Sequence, residues 1–220
     1  MHAATRAAAA IRRAAATRAL RATVRRIRGA VKRRRASKLT LAGLAICWSS
    51  AALAQDAPAE LCEQEMTRAA HQHDIPLNIL YSVGLTETGH AGALSPWDMN
   101  VDGRAVHSAS LEEALQRFAA ERARGAKLID VGCMQINHHW HASHFSSLAE
   151  MFDPVRNVDY AAGYLKELKA QEGNWTLAVA RYNAGPDNPQ AQRTYVCNVI
   201  GHMVASGMGE WTPRARAFCK

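Results

Sequence analysis

Glu87 is the residue in this chain best placed to move a proton. It closes the stretch from Pro76 to His90, in which Leu77, Leu80, Val83 and Gly84 recur at helical spacing and predict an inward-packing face. Val83 to Glu87 is an i, i+4 step, so a helix carries the carboxylate along that same face. Asp74 is expected to cap the helix, Pro76 to open it and Gly89 to stop it. A carboxyl group so placed loses part of its hydration. Its neutral form is then favoured and its pKa rises toward the range of a general acid. A Glu exposed in a last turn would instead be inert.

Two other segments embed polar side chains in apolar surroundings. Gln135 interrupts Cys133-Met134-Gln135-Ile136, and Tyr182-Asn183 end an apolar helical stretch at Ala184-Gly185. A buried amide must find hydrogen-bond partners, and a ligand rich in hydroxyl and acetamido groups can supply them. Asp98, Asp102 and Asp130 are candidates for a second carboxylate, although Asp98 and Asp102 also suit ordinary turns. His138, His139, His141 and His144 invite a metal. No helical Glu joins them in a hydrolytic zinc pattern, and a polar surface loop is the better reading, so neither a metal nor an organic cofactor is expected.

The elements that must position these groups are mostly helical. Leu61 to His73 reads as a first helix, with Cys62, Met66, Ala69 and Ala70 as packing positions, and runs into the Glu87 helix. Ser95 to Arg104 breaks the period and contains an Asp-Gly turn, which predicts a loop or small hairpin. Ser110 and Glu113 form a capping box for a helix ending near Gly125. Leu128 to Asn137 reads as a strand or extended turn, with Gly132 marking a close backbone approach. Ser147 and Glu150 cap a short turn that Asp153-Pro154 ends. Helices then follow through Tyr160, Tyr164 and Leu168, through Trp175, Val179 and Tyr182, and from about Gln190 to Ser206.

Charge divides the chain. Of its 27 Lys and Arg, 13 lie between Arg6 and Lys38, and no acidic residue precedes Asp56. The remainder, 14 basic against 19 acidic side chains, carries a net −5. The basic balance therefore belongs to a leader, and the rest shows no electrostatic footprint for nucleic acid. An apolar run from Leu39 to Trp48 followed by Ala52-Leu53-Ala54 predicts a secretory signal cleaved after Ala54, too short for a comfortable membrane span. The expected organisation is a leader and signal over residues 1–54 and one domain over residues 55–220. Removing Cys47 leaves four cysteines, an even number that favours two disulfides in an exported chain. Three connectivities are open. Gly207, Gly209 and Pro213 let the tail fold back, favouring Cys197 with Cys219 and leaving Cys62 for Cys133.

Glu87-Thr88-Gly89, Gly132-Cys133-Met134-Gln135-Ile136-Asn137 and Ala180-Arg181-Tyr182-Asn183-Ala184-Gly185 together resemble the three ordered motifs of the soluble lytic transglycosylases of bacterial cell walls, relatives of goose-type lysozyme. The resemblance runs from about Leu61 to Gly185. It implies an α+β fold, mostly α: a lysozyme-like domain with a small β or irregular region between Ser95 and Asn137. It also implies cleavage of the β-1,4 bond between N-acetylmuramic acid and N-acetylglucosamine, with Glu87 as sole acid and base and a 1,6-anhydromuramyl product. Thr88, Met134, Gln135, Tyr182 and Asn183 match positions that shape the cleft or meet the sugar. Thr88 stands where the family commonly has Ser, and His90 where an apolar residue is frequent. Residues 97–127 look longer than in the simplest members and suit a specificity loop.

Of Trp97, Trp140, Trp175 and Trp211, Trp97 has turn-forming neighbours and is the expected sugar-stacking indole, while Trp175 lies on a helical core face. The expected partners are peptidoglycan glycan strands in the periplasm and, by resemblance, an envelope-spanning secretion or flagellar machine. Two alternatives are a hydrolytic muramidase and a catalytically silent peptidoglycan-binding scaffold.

Overall fold

The structure is a computed structural model that describes residues 58–88 and 94–220. The leader, the cleavage expected after Ala54, and Gly89 and His90 lie outside the described residues.

Helix α1 (Pro58–Gln72) buries Cys62, Met66, Ala69 and Ala70, the stripe its spacing dictates. It ends through Asp74, whose φ of 53° is left-handed and whose side chain is fully exposed. Asp74 thus terminates α1 and does not act as the cap of the next helix that the sequence led us to expect. The carbonyl of Pro76 accepts instead from Ile79 and Leu80 to begin α2 (Leu77–Thr88). Helix α2 buries Leu80, Ser82, Val83, Gly84, Leu85 and Thr88 because it packs against both α1 and α8 (Pro189–Ala205). Gly84 permits the approach to α1: a Cβ there would run into Met66 Cε and stand 3.3 Å from Met134 Sδ.

The expected hairpin is β1 (Met99–Val101) and β2 (Arg104–Val106), joined by Asp102-Gly103 with positive φ at both residues. With β3 (Ile129–Val131) and β4 (Ile136–Asn137) it makes an antiparallel sheet of order β2-β1-β3-β4, in which Asp130 faces Asn100 on one side and Asn137 on the other. Between hairpin and β3 runs α3 (Leu111–Ala123), capped by Ser110. The single turn α4 (His138–His141) leaves the sheet, and the short α5 (Leu148–Phe152) leads to α6 (Pro154–Glu172), capped by Asp153.

Helix α6 buries Asn157, Val158, Ala161, Ala162 and Leu165 completely and packs on α1 and on α7 (Trp175–Ala184). Helix α7 packs in turn on α8, and a short α9 (Pro213–Phe218), not expected from the sequence, follows. The small sheet beside helices is the mostly α, α+β architecture that the sequence implied. Both disulfides have the favoured pairing, Cys62–Cys133 and Cys197–Cys219, and such bonds fit an oxidising compartment. Among the described residues no helix is long and apolar enough to cross a membrane.

Candidate functional site

The loop between β3 and β4 is built on one buried amide. Asn157 of α6 donates from Nδ2 to the carbonyls of Val131 (2.9 Å) and Met151 (2.7 Å), and its Oδ1 accepts from the Met134 amide (2.8 Å). Gly132, with φ 81°, passes so close that a Cβ would stand 2.5 Å from Asn157 Nδ2. Three further ties pin the loop: the Cys62–Cys133 bond, the Thr88 hydroxyl against the Cys133 and Gly84 carbonyls (3.2 Å each), and the Tyr182 hydroxyl donating to the Met134 carbonyl (2.8 Å). Gln135 follows in a left-handed conformation, φ 45°. Its Nε2 donates to the carbonyls of Asp98 (3.1 Å) and Gly132 (3.0 Å), so Oε1 is the end it can offer a ligand.

Glu87 reaches this loop from the last turn of α2. It lines a cleft of about 470 Å³ together with Asp130, Gln135, Asn137, Trp140, His141, Tyr164, Arg181, Tyr182 and Asn183. Part of its surface remains open, but protein encloses the carboxyl group, and burial pushes its pKa up to about 7. A hydrogen bond from the Tyr195 hydroxyl to Oε1 opposes the shift, and the negative charge of Asp130 adds to it. Burial likewise holds the Tyr182 and Tyr195 phenols well above their ordinary value, with the charge of Glu87 as the next cause. Both stay protonated donors beside a carboxyl group that can exchange its proton near neutrality.

The structure sorts the sequence-based site residues by depth. Glu87, Gln135, Tyr182 and Asn183 meet around the cleft, whereas Thr88 and Met134 are buried beneath it as supports. Asn183 differs from the buried amide expected: it is exposed, near the end of α7. It also borders a second pocket of about 490 Å³, lined by Asn188, Gln190, Thr194, Tyr195 and Asn198. Trp97 is partly buried against the core, as is Trp175.

Asp130 alone of the three aspartates is in the cleft, its carboxylate engaged by Asn137 Nδ2 at 2.6 Å and its pKa raised by burial. Asp98 is buried and held by Ser95 (2.8 Å) and His107 (2.6 Å), and Asp102 accepts from the Leu128 amide in its turn. The histidines turn to different partners, although the ring centroids of His141 and His144 stand 6.4 Å apart. His138 packs on Phe118, His139 on Trp140, and His141 is bonded through Nδ1 to the Tyr160 hydroxyl (2.7 Å). Among the described residues no group of three potential metal ligands forms.

Sequence reasoning missed Tyr195 and Asn157 as parts of this site, and among the indoles it weighed it ranked Trp97 above Trp140. Tyr195 is 108 residues from Glu87 and reads as one more core position of α8. Asn157, a polar side chain on the otherwise apolar face of α6, was the signal left unused.

Residues 95–198 match the family model described as Transglycosylase SLT domain. That segment contains Gln135, Trp140, Tyr182, Asn183 and Tyr195, while Glu87 stands upstream of it. No curated protein and no solved structure gives a match.

Proposed function

We propose, from the premise that this chain carries a transglycosylase SLT domain and is therefore a lytic transglycosylase acting on peptidoglycan, that Glu87 is the sole acid and base of a cleavage that consumes no water. The supporting observation is a carboxyl group with a pKa near 7 at the cleft, hydrogen-bonded by Tyr195. Protonated Glu87 gives its proton to the glycosidic oxygen as the bond from muramyl C1 to that oxygen breaks. The resulting carboxylate then takes the proton of the muramyl C6 hydroxyl while O6 bonds to C1, closing a 1,6-anhydro ring and restoring the acid. Every atom of the product comes from the strand.

In this reading the Gln135 Oε1 and the exposed Asn183 amide hold hydroxyl and acetamido groups of the sugar, and Tyr182, Thr88 and Met134 position the Gln135 loop. The reading carries with it a signal over residues 1–54, a working domain over residues 55–220, and action in the periplasm, which the two disulfides support. It also carries service to an envelope-spanning secretion or flagellar machine that needs an opening in the wall, a role that rests on the family resemblance alone.

Asp130 favours one second reading, because a carboxylate in the same cleft can activate water for hydrolysis. Its bond to Asn137, which also caps α4, argues for a fixed electrostatic role. Purified protein is expected to solubilise intact sacculi, with Glu87→Gln reducing the rate about 10²- to 10⁴-fold and Asp130→Asn retaining anhydro products. Sacculi left unchanged by the parent, or cleaved equally by Glu87→Gln, would reject the assignment of Glu87.

A further inference from the structure

We propose that Trp140 is a sugar-stacking platform at the rim of the Glu87 cleft, holding the apolar face of an N-acetylated hexosamine ring and setting how much glycan strand the site engages. This inference rests on the reading of the cleft as a peptidoglycan site and adds a subsite to it.

Trp140 is 68% exposed, the most exposed large hydrophobic side chain among the described residues. Exposing an indole forgoes a large area of apolar burial. The other indoles described are covered: Trp97 and Trp175 pack against the core, and Trp211 is half-buried under the Arg216 guanidinium. Trp140 alone among them lines the cleft, where Glu87, Gln135 and Asn183 also converge.

Its base is fixed although most of its side chain is exposed. Asn137 Oδ1 caps α4 by accepting from the amides of His139 (3.0 Å) and Trp140 (3.4 Å), and Asn137 is itself held by Asp130. The His139 and Trp140 rings stand at nearly a right angle with centroids 4.4 Å apart, and His141 on the same turn is tied to Tyr160. A fixed, exposed aromatic face bordering a cleft of amides suits a ligand with one apolar face and a polar edge. A β-linked hexopyranose has both: its axial C–H groups make the apolar face, and its hydroxyl and acetamido groups make the edge.

The test uses chitohexaose as a soluble probe with the Glu87→Gln chain, so that binding is read without turnover. Chitohexaose is expected to change indole emission, and the change should disappear on adding Trp140→Phe while surviving Trp211→Phe and Trp97→Phe. Adding Trp140→Ala should weaken binding about three- to tenfold, with Trp140→Tyr recovering most of the loss. With Glu87 intact, Trp140→Ala should raise KM for glycan strands by a larger factor than it lowers kcat. An emission change that depends on Trp97 and not on Trp140 would overturn the platform, as would unaltered affinity in Trp140→Ala or a loss carried by kcat alone. Wild-type cleavage of sacculi with no effect of Trp140 removes the platform and leaves the proposed function standing. Trp140-dependent binding without cleavage does the reverse.

Discussion

Two disulfides staple two regions of this domain, and the regions have opposite characters. Cys62–Cys133 is fully buried and joins α1 to the loop that presents Gln135, amid the bonds of Asn157 and Thr88. Cys197–Cys219 is half-buried and ties α8 to the short tail helix α9, where Phe218 and Leu177 stand exposed around an open groove of about 660 Å³. The first bond holds the loop of the candidate site, geometry that the proposed chemistry needs. The second holds chain in place, away from the cleft. Position in the network, more than bond type, decides what a crosslink does for function.

Removing each crosslink sharpens the contrast. In the chain-entropy model Cys62→Ser/Cys133→Ser, closing 71 residues, costs about 4 kcal/mol, and Cys197→Ser/Cys219→Ser, closing 22, about 3 kcal/mol. Denaturant unfolding should show these similar losses. Sacculus turnover well below each melting temperature should fall severalfold or more only in the first pair; equal losses of turnover would break the comparison. Next in size is Asn157→Leu, which keeps the volume but strands the Met134 amide and the carbonyls of Val131 and Met151. About 3 kcal/mol is expected, or a fall in Tm of roughly 6–12 °C, measured by calorimetry.

Glu87 supplies a smaller, pH-dependent effect. Its folded pKa of about 7 lies above its ordinary value of 4.5, so the fold favours the protonated group. That contribution is full below pH 4.5 and is lost as pH rises through about 7. Glu87→Gln should therefore match the parent in stability near pH 4 and exceed it by about 1–3 kcal/mol above pH 7. Thermal melts across that range check the sign. The smallest effect links the two regions, because Tyr195 sits on α8 two residues before Cys197 and bonds Glu87. Its hydrogen bond favours the carboxylate, so Tyr195→Phe should move the alkaline limb of kcat/KM upward by up to about one pH unit. A downward shift would mean that the bond favours the acid.

The sequence was most legible where one local rule sufficed. Ser110 and Ser147 cap the helices they were expected to cap, Asp153 ends the second of these as expected and also caps α6, and the Asp102-Gly103 turn makes its hairpin. Gly132 marks a close approach because only its missing Cβ leaves room for Asn157. Legibility ended where the partner is remote. Asp74 has the composition of a cap, yet the carbonyl pattern closing α1 takes it into a left-handed turn. Periodicity places Tyr195 inside α8 without revealing that its hydroxyl reaches α2. Asn183 and Trp97 exchanged their expected environments, the amide outside and the indole packed inward, since which side of a helix end or turn meets solvent depends on neighbours that no local pattern encodes.

The central claim is that one carboxyl group, Glu87, cleaves the strand without water. Mass spectrometry of muropeptides released from sacculi by the parent protein and by Glu87→Gln tests it most directly. The account predicts products ending in 1,6-anhydromuramic acid from the parent and almost none from the variant. Reducing ends, heavier by one water, would contradict it and make Asp130 the second carboxylate of a hydrolase.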